Sequence, residues 1–419
     1  MLAPNIQLGH TCPIIDATDT PLYRAHPCTI YNIFELPYPK NMKQTLLHLL
    51  IGLTAIILAS CASKTADVET HALPLHHATL LHLQEADSFV VAQITDPWHP
   101  NQNLAQYVLV PRQQPLPHQL PQGTLVRTPI TRAALTTTVH AALLLELDKA
   151  HAMAALTDTN YVVSPSLKHY LRQRKSTLCD AGQSMAPNAE RLRAAKVDAV
   201  CVSPFENAGN GAIERLGVPL IQCADYMETT PLGRAEWIKF YGLLFGCKNR
   251  ADSLFGEIEK NYLAIKSQAH NFFKTHKKPT VMCDLRMGAT WYQPGGASTM
   301  GQLIADAGGN YLWADRKESG SLSLNAESVL ARAAHADIWI VKYGRTVDLT
   351  YAQMAADYKL YTQFSAWKHH NIYACNTLHV PYYEETPFHP ERVLHNLFAI
   401  FSNSNPQKSA YRPYYTPLK

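Results

Sequence analysis

The chain has 419 residues, 47% of them hydrophobic and only 17% charged, with a formal net charge of +4. The hydrophobic share supports packed cores, and the charged share lies below the quarter or so usual for soluble domains. So weak a net charge, with no Lys/Arg-rich run, argues against a nucleic-acid partner.

Residues 1–41 are Pro-rich and aperiodic. Met42-Lys43 opens a distinct unit, in which Leu46 to Leu58 is almost unbroken apolar sequence ending in Leu58-Ala59-Ser60-Cys61. A basic start, a short apolar run and small residues at a cut site define a secretory signal peptide. The run is shorter than the roughly 20 residues that suit a bilayer span. Leu-Ala-Ser-Cys is the lipobox pattern, whose cysteine thiolate takes a diacylglycerol before cleavage. We expect a precursor starting at Met42, with residues 1–41 an artefact of gene calling. The domain reading is an N-terminal extension plus lipoprotein signal peptide over 1–61 (signal 42–61), then a tether over 62–70.

The rest of the chain is longer than one average domain and suits two lobes. Phe89 to Ile94 and Gln106 to Pro111 read as an opening strand pair, and Leu125 to Thr128 as a short strand. Thr138 to Ala150 carries the apolar stripe of a helix. Asp198 to Val202 and Val218 to Cys223 are apolar runs of the buried parallel-strand type, separated by a helix that Gly217 ends. Thr230-Pro231 is a helix start, with threonine as cap and proline where its missing N–H costs nothing. Arg250 to His276 is a long amphipathic helix closed by Pro279. Strands follow at Thr280 to Leu285, Ile338 to Val341 and Ile372 to Ala374, with helices at Met300 to Ala307, Glu327 to Ala334 and Pro390 to Phe401. The fold class is therefore α/β, two Rossmann-like lobes joined by one long interdomain helix. The boundaries are 71–247 for the first lobe, 248–278 for the linker helix, 279–401 for the second lobe and 402–419 for an irregular tail.

An internal echo supports two lobes. Asn188-Ala189-Glu190 opens a helix that leads to Asp198 and a strand, and Asn325-Ala326-Glu327 opens one that leads to Asp337 and a strand. These units, the lipobox, the strand–helix order, Asp225-Tyr226-Met227-Glu228 with Leu232-Gly233-Arg234, and Trp291-Tyr292-Gln293-Pro294-Gly295-Gly296 resemble the substrate-binding lipoproteins of ABC transporters that carry iron–siderophore complexes, haem or cobalamin. The resemblance covers roughly residues 120–400; residues 70–120 fit it less closely and have room for an extra hairpin. It implies a ligand held between the lobes, small lobe closure about a rigid helix, and one glutamate per lobe docking into arginine pockets of a permease. By motif position those are Glu190 and Glu327. Charge compensation of a helix N-terminus is the plainer alternative for both. The implied partners are an ABC permease with its ATPase, a metal-chelate ligand (an iron chelate or corrinoid) and a membrane reached through the lipid on Cys61. The implied location is the cell envelope, facing the periplasm.

In open α/β folds ligands bind beyond the carboxyl ends of the parallel strands. That rule selects Thr128, Thr138, Ser203, Phe205 and Tyr226 in the first lobe, and Arg286, Trp291, Tyr292, Tyr343, Arg345 and Tyr383 in the second. Aromatic walls suit large ring-shaped ligands and arginines suit carboxylates or anionic chelates. Each has a structural alternative: Trp291 and Tyr292 as edge packing, Arg286 and Arg345 as partners of surface carboxylates, Tyr382 to Glu385 as plain surface. Glu228 reads as helix-start charge, Glu236 with Lys239 as a helical ion pair, and Arg234 and Trp237 as structural. His71, His76, His77 and His82 cluster without a standard zinc spacing, no C-x-x-C occurs, and no resident cofactor, metal or catalytic residue is expected. Neither a G-x-S-x-G elbow, H-E-x-x-H nor a P-loop is present, which weighs against a lipid-anchored hydrolase. A surface scavenger or sensor without a permease is the other alternative, and it would have no use for the Glu190/Glu327 pair.

Overall fold

A computed structural model describes residues 69–404 and 411–419. Residues 1–41, the signal segment with its start at Met42, and Cys61 lie outside the described residues.

The chain first builds a sheet from β1 (His71–Leu73), β2 (Leu81–Glu85), β3 (Val90–Thr95), β4 (Asn103–Pro111) and β5 (Thr124–Thr128), in that order. The first four strands are antiparallel and β5 joins parallel to β4. The region where an extra hairpin was expected is thus a complete sheet. The first α/β lobe follows, with β6 (Ala133–Leu135), helix α1 (Thr138–Glu146), β7 (Met153–Leu156), α2 (Pro165–Gln173), β8 (Cys179–Asp180), the hairpin β9 (Gly182–Gln183) and β10 (Ala186–Pro187), α3 (Ala189–Ala194), β11 (Ala199–Val202) and β12 (Leu220–Gln222). Its sheet runs β12-β11-β6-β7-β8, all parallel. Between β11 and β12 lies a 3-10 turn, Gly211–Leu216, closed by Gly217 at φ 73°, the left-handed conformation that glycine takes without a Cβ penalty.

Helices α4 (Pro231–Glu236) and α5 (Ile238–Leu244) lead into the 25-residue α6 (Lys248–Phe272). Thr230 caps α4, its hydroxyl accepting from Gly233 N at 2.9 Å. The second lobe holds β13 (Thr280–Cys283), β14 (Arg286–Met287), β15 (Thr290–Pro294), α7 (Thr299–Asp306), β16 (Asn310–Tyr311), β17 (Ser321–Leu324), α8 (Ala326–Ala333), β18 (Ile338–Tyr343), β19 (Ile372–Asn376), α9 (Tyr382–Glu385), α10 (Pro390–Phe401) and β20 (Thr416–Pro417). Its main sheet runs β16-β13-β18-β19-β20, parallel apart from β20, beside a small antiparallel sheet β14-β15-β17. On α6, Ala251, Phe255, Ile258, Tyr262, Ile265 and Ala269 are buried, and the Tyr262 hydroxyl donates to Asp306 at 2.7 Å, tying the linker to α7.

The tail corrects the sequence reading. Tyr414 and Tyr415 are 2% and 0% exposed, and Asn396 Oδ1 accepts from both of their backbone N–H groups. The polar, proline-bearing composition of 402–419 concealed a strand whose anchors are two buried tyrosines.

The internal echo has a physical basis. Asp198, one residue before β11, accepts from Thr131 N at 3.0 Å, Thr131 Oγ1 at 2.8 Å and Arg132 N at 3.0 Å, just ahead of β6. Asp337, one residue before β18, accepts from Thr280 N and Thr280 Oγ1, both at 2.8 Å, at the start of β13. In each lobe the aspartate satisfies main-chain donors at the entry to a central strand, β6 or β13.

Glu228 and Glu236 are more than helix-start charges. Glu228 is 3% exposed and accepts from Thr79 N, Leu80 N and Trp237 Nε1, with the Thr79 hydroxyl at 2.8 Å. Glu236, 0% exposed, accepts from His76 N, His77 N and Ala78 N as well as from Lys239 Nζ. Two buried carboxylates therefore clasp residues 76–80 and fix the first sheet to α4 and α5. Their partners lie about 150 residues away, beyond any local sequence signal.

Candidate functional site

A cavity of about 530 Å³ opens beyond the carboxyl ends of β6, β7 and β11. Thr136, Thr137 and Thr138 form one wall at the start of α1, Asp158 and Tyr161 follow β7, and Ser203 and Phe205 follow β11. Thr137 caps α1, accepting from His140 N at 3.3 Å. Tyr161 is 72% exposed, Met185 72% and Phe205 47%, so three large apolar side chains stand uncovered around one opening. Volumes of some 300–1,000 Å³ with apolar walls and a few placed polar groups are usual for small-molecule sites.

Of the residues selected from sequence, Thr138, Ser203 and Phe205 line this cavity. Tyr226 stands beside it, with its ring 6.2 Å from that of Phe205 and its hydroxyl donating to Pro204 O. Thr128 is a correction: it ends β5 in the first sheet, is 8% exposed and does not line the cavity. β5 resembled a lobe strand in composition but belongs to the added sheet.

In the second lobe Trp291 is also corrected. It is 0% exposed, its Nε1–H donates to Asp284 O at 3.1 Å, and its ring packs on Trp339, Tyr361 and Phe364 at 5.5–5.7 Å. Strand alternation puts its neighbour Tyr292 on the other face, 41% exposed. Gly295 serves a close approach: a Cβ there would stand 2.0 Å from Glu318 O. Arg286 stacks its guanidinium 4.0 Å over the Tyr358 ring and donates to Gly288 O. Arg345 is exposed and pairs with Asp357 at 2.5 Å, the alternative weighed for it. Tyr343 is half-buried, its hydroxyl accepting from Leu349 N at 3.0 Å. Tyr383 is 57% exposed beside buried Tyr382. Glu190 and Glu327 are both exposed in the first turns of α3 and α8.

Sequence reasoning missed Asp158, Tyr161 and Met185. The first two follow β7, whose Met-Ala-Ala-Leu sequence carries no β-branched signal, and Met185 sits in a two-residue-strand hairpin.

The lobes meet through a polar seam. Glu384 of α9 accepts from Val163 N at 3.0 Å and from Ser164 N at the start of α2. His389 stands between Glu146 of α1 at 2.6 Å and Glu391 at 2.9 Å, and Arg392 lies 3.6 Å from Glu146. Burial opposes the charged form of His389, yet its two carboxylate partners raise its pKa. Deeper in, Asp225 receives His140 Nε2 and the Tyr241 hydroxyl, both at 2.9 Å, and Arg234 Nε at 3.2 Å. Burial works against charge on Asp225, but His140 and Arg234 hold its carboxyl below the ordinary range. Among the described residues no group of histidines, cysteines and carboxylates is arranged to hold a metal, and no helix is long and apolar enough to cross a membrane. Here His77 bonds to Glu259 and His82 to Thr95. The six described cysteines are free thiols.

An uncharacterized lipoprotein of Methanocaldococcus jannaschii is 25% identical over 235 residues, 52% of this chain and 53% of that protein. The chain therefore spans about half the length of this curated relative. Among solved structures, a possible iron-binding (periplasmic solute-binding) protein of Staphylococcus epidermidis aligns with TM-score 0.52 at 18% identity over 65% of this chain and 99% of that one. A periplasmic heme binding protein of Pseudomonas aeruginosa aligns with TM-score 0.52 at 15% identity over 69% and 98%. A Staphylococcus aureus protein solved in complex with heme aligns with TM-score 0.51 at 18% identity over 65% and 98%. These likenesses establish the two-lobed fold. The family model for periplasmic binding proteins matches residues 134–377, which runs from β6 to the end of β19, and the chain belongs to that family.

Proposed function

We propose that this protein is the substrate-binding component of an ABC importer, lipid-anchored through Cys61 at the cell envelope. It captures an iron chelate (a siderophore complex or haem) or a corrinoid and delivers it to the permease. The observation that carries this reading is the pairing of one open cavity at the strand ends with one exposed first-turn glutamate on each lobe. The cavity supplies capture, and Glu190 and Glu327 supply two separated anionic contacts for guanidinium pockets. Uncovered Tyr161, Met185 and Phe205 suit a large ring-bearing ligand. Structural neighbours described as iron-binding and heme-binding favour the same ligand class. The lipoprotein name of the curated relative favours the anchor.

Native mass spectrometry and visible absorbance of protein purified from its source test capture, since iron chelates, haem and corrinoids are coloured. Glu190→Lys with Glu327→Lys tests delivery: uptake falls to background while ligand binding is retained. Unchanged uptake by the folded double variant refutes the docking role.

A further inference from the structure

The weak net charge of +4 hides a polarity within the first lobe. Its parallel strands β12, β11, β6, β7 and β8 all begin on one edge of the sheet and end on the other. The carboxyl edge holds the cavity and is rich in acid, with Asp158, Asp180, Glu190 and Glu206 against Lys168 and Arg191. The connections that enter the strands carry the opposite sign. Arg132 precedes β6, Lys149 precedes β7, Arg174 and Lys175 precede β8, Lys196 precedes β11 and Arg215 precedes β12.

Hydrogen bonds draw this amino edge into one patch. Arg132 Nε donates to Ala195 O and Lys196 O, both at 3.1 Å, and Arg193 Nη2 donates to Arg215 O at 3.4 Å. From the end of β4, Arg112 reaches Asp198 at 2.6 Å and adds a further cation. The carboxylates on this edge are few. Asp198 is occupied by Thr131, Arg132 and Arg112, and Asp148 lies 3.9 Å from Arg250. Lys175, Lys196 and Arg215 are exposed, and among the described residues their side chains make no hydrogen bond or ion pair. Five strands at about 4.8 Å spacing make the edge roughly 20 Å wide, too broad for one small anion and suited to an array of charged headgroups.

We propose that the basic amino edge of the first lobe lies on an anionic lipid leaflet, so that the free receptor turns its first-lobe cavity away from the membrane. The proposal rests on the lipid anchor at Cys61. Because the anchor keeps the body beside the leaflet, a modest attraction is enough to orient it. Each lysine or arginine near such a leaflet adds roughly a fivefold preference, and the acidic carboxyl edge is repelled by the same field. Capture and docking are then successive orientations: Glu190, on the carboxyl edge, meets a permease only after the basic edge has left the lipid.

Amide hydrogen exchange of the lipidated protein, reconstituted in phosphatidylcholine vesicles with or without phosphatidylglycerol, tests this. The expected result is exchange slowed several-fold at residues 174–178 and 195–198 on the anionic vesicles only, with residues 184–187 and 203–210 at the cavity unchanged. Salt at about 1 M, where charges are screened within about 3 Å, removes the difference. Lys175→Glu with Arg215→Glu removes it too, and Lys175→Gln with Arg215→Gln carries the test should the reversal fail to fold. Lys168→Glu, on the carboxyl edge, leaves it intact. Equal protection of both edges, equal protection on neutral and anionic vesicles, or full protection in the double variants overturns the proposal. Protection by soluble polyphosphate with none on anionic vesicles assigns a polymer partner and also overturns it. Flotation with neutral vesicles at about 1 M salt reads the anchor alone. Loss of the anchor is therefore distinguishable from loss of the lipid contact, which unanchored protein added to anionic vesicles would still show.

Discussion

The two-carboxylate clasp makes an unequal prediction for two substitutions that look alike. In Glu228, Oε1 accepts from Thr79 N, Leu80 N and Trp237 Nε1, while Oε2 takes a second share of Thr79 N at 3.0 Å and faces the Thr79 hydroxyl, which accepts as well as donates. Glu228→Gln therefore keeps every donor paired through Oε1 and loses only the second share of Thr79 N and the charge assistance, about 1–2 kcal/mol in all. In Glu236 both oxygens face donors: Oε1 meets His76 N and Lys239 Nζ, Oε2 meets His77 N and Ala78 N. Whichever way the amide of Glu236→Gln turns, its NH₂ confronts two donors and leaves them without an acceptor. At about 1–3 kcal/mol per orphaned group, the cost is roughly 2–6 kcal/mol. Urea unfolding followed by tryptophan fluorescence, with unchanged m-values, measures both. Burial raises the Glu236 pKa, but the backbone donors and Lys239 outweigh it and the net shift is downward. Its stabilisation is thus full above the ordinary carboxylate value of about 4.3 and is lost as pH falls through the depressed folded value. The Glu236→Gln penalty should shrink accordingly in acid. A Glu228→Gln cost equal to or above that of Glu236→Gln refutes the clasp as drawn.

Five further substitutions probe three separate features. His389→Gln should cost more stability at pH 6 than at pH 9, because a raised folded pKa makes the contribution full below about 6.5 and lost as pH rises through the folded value; a pH-independent cost contradicts the seam with Glu146 and Glu391. Trp291→Ala should cost about 3–5 kcal/mol in denaturant unfolding, whereas Tyr292→Ala stays within about 0.5 kcal/mol, and similar values for both would undo the assignment of faces on β15. Asp198→Ala and Asp337→Ala should each destabilise by about 1–3 kcal/mol, with amide exchange rising first at Thr131 and Thr280; unchanged protection at both threonines would show that the echo has another origin.

The parts of the fold that announced themselves were those governed by local rules. Pro390 at the start of α10, Thr230-Pro231 ahead of α4 and Gly217 at the end of its turn act on their own neighbours. The apolar runs of β11, β13 and β18 stand out because strands buried on both faces are continuous in hydrophobicity. Ala133–Leu135 and Met153–Leu156 are equally buried but built of alanine, whose intrinsic preference is helical, so tertiary burial overrode propensity there. That omission carried into the site. The rule of strand ends found Thr138, Ser203 and Phe205, and lost Asp158 and Tyr161 with the strand that positions them. Arg234 read as structural because its helix is; its place at the interlobe crevice depends on second-lobe residues, from Thr299 to Pro390, that no local signal connects to it.

The last nine residues of the chain also act as an edge guard. β20 lies antiparallel on β19, pairing Tyr373 with Pro417 and Ala374 with Thr416, and Leu418 N donates to Ile372 O at 2.9 Å. Without them, β19 would present a bare row of amide and carbonyl groups at the rim of an open sheet, the kind of rim on which a second copy can template itself. Trimming the chain before Tyr414 should therefore make the protein self-associate more strongly than the intact chain as concentration rises, through main-chain pairing that no change in surface charge elsewhere would relieve.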